Sequence, residues 1–121
     1  IYYTLIMKTI VNKPWGSFEI ISEGEKYTVK KIIVKPSGQL SLQSHKYRSE
    51  HWLIAQGNAE VVINEERFNL QENQHIFIPK GAKHMLVNKG NTSLIVIEMW
   101  FGDSLDENDI KRYEDIYKRD L

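Results

Sequence analysis

Short segments rich in β-branched and aromatic residues follow one another from about residue 14 to residue 101, and turn-forming residues separate them. YTVKKIIVKP ends in a proline, HWLIAQ runs into Gly57-Asn58, and AEVVINEERFNL indicates a hairpin about residues 64–66. Strands that recur at roughly 8–12-residue spacing, with turn signals between them, are typical of a sandwich or a barrel. We therefore predict an all-β barrel over residues 12–103.

The C-terminal segment, residues 104–121, has a different pattern. Ser104 and Glu107 have the spacing of a capping box, which marks a helix start. The apolar residues that follow are three and four positions apart, so one helix face would carry them all: Ile110, Tyr113, Ile116 and Tyr117. The pattern predicts a short helix that packs on the barrel or on a neighbour.

The N-terminal segment, residues 1–11, is apolar but lacks the basic region and the small-residue cleavage site of a signal peptide. Met7 is a candidate natural start, which would make residues 1–6 an upstream extension. We predict that this segment is an extension or a swapped strand that pairs with the sheet edge of a second subunit, in a homodimer. A loose tail is the alternative.

Length and charge narrow the class of protein. The 121 residues suit one domain, and 16 basic and 16 acidic side chains cancel. This balance argues against a nucleic-acid or membrane-surface binder, since either needs a basic excess. No apolar run approaches the roughly 20 residues that span a bilayer. The absence of cysteine excludes disulfides and thiolate sites and fits a cytoplasmic protein.

Polar residues crowd the segment 38–57, GQLSLQSHKYRSEHWLIAQG. Gln43 and His45 are two positions apart, so they share one face of a strand. Glu50 alternates in phase with Trp52 and Ile54, which have the character of core residues, so Glu50 is expected to point inward. A buried carboxylate is costly unless it is paired or bound to a metal.

A second polar site follows the Pro79-to-Gly81 turn, where His84 opens an apolar strand. If that strand lies across the barrel from residues 43–50, one amide oxygen, two imidazoles and one carboxylate would converge. This donor set suits zinc, manganese, iron, cobalt or nickel, and room for water would make it an open, catalytic-type site. His51 faces away from Glu50 by alternation, and we favour a supporting or contact role for it over a ligand role.

These motifs resemble those of a known family. The spacing of Gln43, His45 and Glu50, followed by that of Gly81 and His84, is similar to the two cupin motifs, with glutamine in place of the usual first histidine. Three further segments resemble type II mannose-6-phosphate isomerases, whose cupin domain often forms the C-terminal part of enzymes that also carry a mannose-1-phosphate guanylyltransferase: KPWGSFE at 13–19, SLQSH at 41–45 and RSEHW at 48–52. The tail at 102–115 matches as well.

The resemblance implies a double-stranded β-helix jelly roll that binds one divalent metal, zinc before manganese, cobalt, nickel or iron. The implied ligands are Gln43, His45, Glu50 and His84. The implied reaction interconverts mannose 6-phosphate and fructose 6-phosphate and feeds nucleotide-sugar and polysaccharide synthesis. No guanylyltransferase motif occurs in the chain, so a separate guanylyltransferase chain is a candidate partner.

Aldose–ketose isomerisation requires a proton carrier and a partner for developing negative charge. Glu50 or a metal-bound water is the candidate carrier, and His51 is a weaker one. Arg48 is expected to stabilise the charge or to bind phosphate, because its planar fork suits phosphate oxygens. Further candidates for contact with substrate phosphate are Lys30, Lys31, Lys46 and Lys83, and for any single one of them a solvated surface position is the more common alternative.

Other interpretations stay open at this point. Tyr47 stands where many family members carry a second histidine, and Gln39 stands where an arginine is common. The second difference bears on phosphate binding and therefore on the choice of sugar. The alternatives are another metal-binding sugar-phosphate cupin, such as an epimerase, lyase or oxygenase, and a non-catalytic sugar-binding subunit.

Overall fold

The computed structural model describes residues 9–119, and this part of the chain forms strands without a helix. The strands are β1 (Ile10–Lys13), β2 (Gly16–Glu23), β3 (Tyr27–Val34), β4 (Leu42–Ser44), β5 (Ser49–Gln56), β6 (Ala59–Ile63), β7 (Glu66–Leu70), β8 (His75–Ile78), β9 (His84–Val87), β10 (Leu94–Phe101) and β11 (Lys111–Glu114). The all-β prediction is confirmed.

Two antiparallel sheets face each other. One has the strand order β1-β2-β3-β10-β5-β8, and the other has the order β11-β4-β9-β6-β7. Burial alternates strictly along β3 and β10, as expected when one face of a strand meets the core and the other faces outward. Trp52, Ile54 and Val96 from the first sheet and Val61 and Leu86 from the second are all buried in one apolar cluster.

The hairpin predicted about residues 64–66 forms between β6 and β7. Ile63 pairs with Glu66, and the two residues between them, Asn64 and Glu65, have φ values of 46° and 75°. Positive φ at both central residues is the signature of a type I′ turn, whose twist matches that of the flanking strands. Lys83 N donates to Asn64 Oδ1 at 3.0 Å, which ties this turn to the start of β9.

The predicted helix over residues 104–121 is wrong for the described part of that segment. Residues Lys111–Glu114 instead form β11, which pairs with β4 at the edge of the second sheet. The aspartates nearby bind local backbone N–H groups, because Asp106 accepts from Asn108 N and Asp115 accepts from Tyr117 N. Such side-chain bonds favour turns over a helix. Ile116 is 57% exposed, so it does not pack against the barrel as the predicted helix would require.

Most of the N-terminal segment, residues 1–8, lies outside the described residues, and so does the prediction that it is an extension or a swapped strand. Residues 10–13 form β1, which pairs with β2 of the same chain, since Ile10 lies opposite Glu19 and Lys13 lies opposite Gly16. Residues 9–119 contain no helix long and apolar enough to span a membrane.

Candidate functional site

A cavity of about 410 Å³ opens between the two sheets. Inward-facing side chains of both sheets line it, and residues 107, 108 and 110 of the segment before β11 close one side. The lining is unusually polar for a barrel interior. Its main polar residues are Lys30, Gln43, Arg48, Glu50, His84 and Glu98.

His45, Glu50 and His84 form one cluster, in which Glu50 and His84 line this cavity and His45 lies behind them, and each is at most 3% exposed. One ligand atom from each falls within 4.8 Å of the others, a separation that a single metal ion can bridge. The strands explain the meeting, because Gln43 of β4 pairs directly with His84 of β9, and His45 follows β4 at once. Glu50 reaches the same point from β5 in the opposite sheet.

Both histidines are held in the tautomer that a metal ligand needs. His45 Nδ1 lies 2.7 Å from Asp109 O and His84 Nδ1 lies 2.9 Å from Ala82 O. Because a carbonyl oxygen only accepts, each Nδ1 carries the hydrogen and each neutral ring presents a lone pair at Nε2. The two Nε2 atoms are 3.2 Å apart, and His45 Nε2 is 3.1 Å from Glu50 Oε2. Three acceptors that converge in this way fit a bound cation.

The charges of these groups support this reading. Burial lowers the pKa of His45 to about 4, and burial also lowers the pKa of His84, so both imidazoles are neutral at pH 7. Burial alone would raise the pKa of Glu50, but its interactions with His84, His45 and Arg48 outweigh burial and lower it. Since the imidazoles are neutral at pH 7, the Arg48 guanidinium is the positive partner that remains.

Gln43, the fourth predicted ligand, lines the cavity beside His84. Its Nε2 donates to Ser41 Oγ at 3.0 Å and to Ser41 O at 3.2 Å. With the nitrogen held in this way, the amide oxygen is the atom left to meet a ligand. The position therefore fits the amide-oxygen role that was predicted for this residue.

Arg48 is 5% exposed and lies against the cluster. Its Nε donates to Glu50 Oε2 at 2.8 Å, and its Nη2 is 3.2 Å from His45 Nε2. The guanidinium stacks on Trp100, 3.4 Å from the ring centroid. A fixed positive charge thus stands beside the three convergent acceptors.

The predicted lysines separate into two groups. Lys30 is 3% exposed and lines the cavity, where its ammonium group lies over the rings of Phe18 and Trp100 and pairs with Glu107. Lys31 is half-buried and Lys46 and Lys83 are exposed, and none of these three lines the cavity, so the predicted substrate-binding role does not fit their placement.

His51 likewise does not meet its predicted catalytic role. It is exposed on the outer face of the first sheet, with its ring centroid 4.9 Å from that of Phe77. Strand alternation explains this placement, because Glu50 and Trp52 on either side of it point inward.

Sequence reasoning missed Glu98. This carboxyl group lines the cavity and is 5% exposed, and Trp100 Nε1 donates to its Oε1. Burial raises the pKa of Glu98 to about 8, and the negative charge of Glu50 adds to the effect. Alternation along LIVIEMWF could have found it, because Glu98 has the same phase as Val96 and Trp100.

Comparison with known proteins gives the family of this chain. Residues 4–115 match the family model described as mannose-6-phosphate isomerase C-terminal. The chain belongs to this family. Over 109 residues it is 48% identical to mannose-1-phosphate guanylyltransferase ManC of Salmonella typhimurium and 46% identical to alginate biosynthesis protein AlgA of Pseudomonas putida. Each alignment covers 90% of this chain but only 23% and 22% of the relatives, so the chain spans less than a quarter of their length.

Superposition on a solved structure confirms the predicted cupin fold. The cupin domain of Schizosaccharomyces pombe Cnp3 superposes with a TM-score of 0.65. The match covers 80% of this chain and 87% of that one at 14% identity, so it bears on the fold alone.

Proposed function

We propose that this domain interconverts mannose 6-phosphate and fructose 6-phosphate with one divalent metal held by Gln43, His45, Glu50 and His84. The observation that carries the proposal is the convergence of two imidazole lone pairs and a carboxylate oxygen at a cavity lined by buried cations. The family match and the names of the relatives support the sugar phosphate and its use in nucleotide-sugar and polysaccharide synthesis.

The donor set favours zinc, since imidazole nitrogen and carboxylate oxygen are common zinc ligands, while manganese, cobalt, nickel and iron also accept this set. When bound, the metal would supply positive charge opposite the O1 and O2 oxygens of the open-chain sugar. The protein residues contribute orientation and further charge. The positions of His45, Arg48, Glu50 and His84 are fixed before substrate arrives, because each is buried and hydrogen-bonded, and the half-buried Gln43 is held by its bonds to Ser41.

We assign two tasks to the buried cations. Arg48 stabilises negative charge that develops on the sugar oxygens, because its guanidinium lies beside His45 and Glu50. Lys30 receives the phosphate group, because it is the buried ammonium of the cavity and its partner Glu107 is 54% exposed and free to turn outward. A compact ammonium group at this position suits a phosphate dianion.

The first test is a coupled assay of fructose 6-phosphate formation on protein stripped of metal and then given zinc, manganese, cobalt, nickel or iron. Turnover that depends on the metal is expected. His84→Ala should lose both metal and turnover, whereas His75→Ala, which removes an exposed histidine, should keep both. Absence of turnover with every metal would refute the isomerase. Tight binding of mannose 6-phosphate without turnover would then favour a sugar-binding subunit.

A second test distinguishes the role of Arg48 from that of the metal ligands. Arg48→Lys keeps the charge but loses the fork, so we expect turnover to fall about 10²–10³-fold at unchanged metal content. Arg67→Lys, on an arginine whose side chain is 63% exposed, is the matched control and should have no effect. Full activity in Arg48→Lys would exclude the assigned role.

We also propose that the domain forms a homodimer and acts beside a guanylyltransferase, in its own chain or in a partner chain. The outer face of β5, β8 and β10 supports the dimer, because it presents Leu53, Phe77 and Phe101 with exposed fractions of 41%, 48% and 42%. Apolar patches of this kind commonly mark interfaces. Light scattering should give the mass of two chains, and Phe77→Glu should give the mass of one. A monomeric wild type would refute the dimer.

A further inference from the structure

Glu98 is a buried carboxyl group in the cavity wall that the proposed metal ligands do not include. In the pairing of β10 with β5, Glu98 lies opposite Trp52 and Trp100 lies opposite Glu50. Glu98 and Glu50 are therefore diagonal neighbours on the same inward face, with Cα atoms about 7–8 Å apart. Glu98 lines the same cavity as Glu50 and His84, so a sugar that fills this cavity would meet all three side chains.

The two side chains that the sequence predicted as proton carriers, Glu50 and His51, are poorly placed for that role. Both oxygens of Glu50 are engaged, Oε1 with Trp52 Nε1 at 2.8 Å and Oε2 with Arg48 Nε at 2.8 Å. His51 is on the opposite side of the sheet. Neither group presents a free basic atom to the cavity.

The surroundings of Glu98 hold its carboxyl group in one orientation. Trp100 Nε1 donates to Oε1, and the same indole packs under the guanidinium of Arg48 and the ammonium of Lys30. Lys30 lies directly opposite Glu98 in the pairing of β10 with β3. A single rigid ring thus links Glu98 to both cations that the proposed function uses.

We propose that Glu98 is the catalytic residue that carries the proton between C2 and C1 of the sugar, an inference that rests on the proposed function. In its ionised form, which is the minor form below pH 8 in the metal-free protein, Glu98 takes the C2 proton of the open-chain aldose. The electron pair of the C2–H bond becomes the C1=C2 bond, and the C1=O1 pair moves onto O1. Glu98 then returns the proton to C1 while the O2 hydroxyl proton passes to O1, which leaves a C2=O2 ketone and no net change in charge.

The decisive variant is Glu98→Gln, which keeps shape and hydrogen bonding but cannot carry the proton. With the zinc or manganese form and mannose 6-phosphate as the probe, kcat is expected to fall about 10²–10⁴-fold. KM and the affinity for zinc alone, measured by calorimetry, should stay within threefold. In D₂O, the acid proton of Glu98 should exchange with solvent before it is returned, so wild-type protein should place deuterium at C1 of fructose 6-phosphate, and Glu98→Gln should lose this exchange with the turnover.

Two comparisons make the outcome specific. Glu60→Gln removes another buried carboxylate, one paired with Arg67 and Lys89 and absent from the cavity lining, and it should leave kcat unchanged. Glu98→Asp should recover part of the lost turnover, since a shorter carboxylate still accepts a proton.

Wild-type turnover together with a kcat in Glu98→Gln within threefold of it would overturn this inference and leave the isomerase standing. A parallel loss of zinc affinity in Glu98→Gln would also overturn it, because Glu98 would then act on the metal site. A wild type that neither turns over nor exchanges the C2 proton would overturn the proposed function as well.

Discussion

The carboxyl group of Glu98 should make the metal-free protein less stable as the pH rises. Its pKa in the folded state is raised from 4.5 to about 8, first by burial and then by the charge of Glu50. Between these two values the unfolded chain has released the proton and the folded chain still holds it, so the folded state loses stability as pH increases. The gap of 3.5 pH units, at about 1.36 kcal/mol each, corresponds to about 5 kcal/mol above pH 8.

Glu98→Gln removes this cost because an amide does not ionise. We expect the free energy of unfolding of the variant to exceed that of wild type by an amount that grows by about 1.4 kcal/mol per pH unit between pH 5 and pH 8 and then levels off. Urea titrations of chelator-treated protein at pH 5, 6.5, 8 and 9 measure this difference. His45 and His84, whose pKa values are lowered, act in the opposite sense below pH 6.5, but both proteins carry them and their contribution cancels.

A difference that does not change with pH would refute the reasoning, since it would mean that Glu98 ionises in the folded state near its ordinary pKa. Glu60→Gln is the control of opposite sign. The hydrogen bond from Lys89 lowers the pKa of Glu60, so this carboxylate stabilises the fold above pH 4.5. Its replacement should therefore reduce stability at neutral pH, and the loss should shrink as the pH falls below 4.5.

Three further predictions concern stability and the metal. Zinc at 100 times its Kd should add about 2.7 kcal/mol to the free energy of unfolding, and His84→Ala should abolish this gain. Thermal melts with and without zinc measure the gain, and an unchanged gain in His84→Ala would exclude His84 as a ligand. Arg48→Ala should cost about 3–5 kcal/mol in urea titrations, because it leaves Glu50 buried without its ion-pair partner; a cost under 1 kcal/mol would contradict this. Asn88→Ala should lower the free energy of unfolding by roughly 3 kcal/mol in the same titrations, because Asn88 Nδ2 donates to the carbonyls of residues 34, 35 and 92. An unchanged free energy of unfolding would show that water replaces those bonds.

Alternation along the strands was enough to predict the faces of the barrel. Glu50 shares its phase with Trp52 and Ile54, and all three are buried, while His51 between them is exposed. The meeting of His84 with Gln43 was beyond this reasoning. It depends on the pairing of β9 with β4, which joins residues far apart in the chain, and a pattern along one strand says nothing about its neighbour. Sequence reasoning placed these two residues in one ligand set only on the condition that the strand from His84 lies across the barrel from residues 43–50, and the family resemblance then implied the same set.

The wrong helix at the C-terminus has a consequence for the site. Asp109 lies in the segment predicted as helical, where its carbonyl would accept from an amide four residues on. In the structure that carbonyl instead accepts from His45 Nδ1, and the Asp109 carboxylate accepts from the backbone N–H groups of Lys46 and Tyr47. The same residue therefore sets the direction of the His45 lone pair and holds the loop after β4. Because a helix here would leave His45 without its partner, the site requires the irregular backbone that periodicity could not predict.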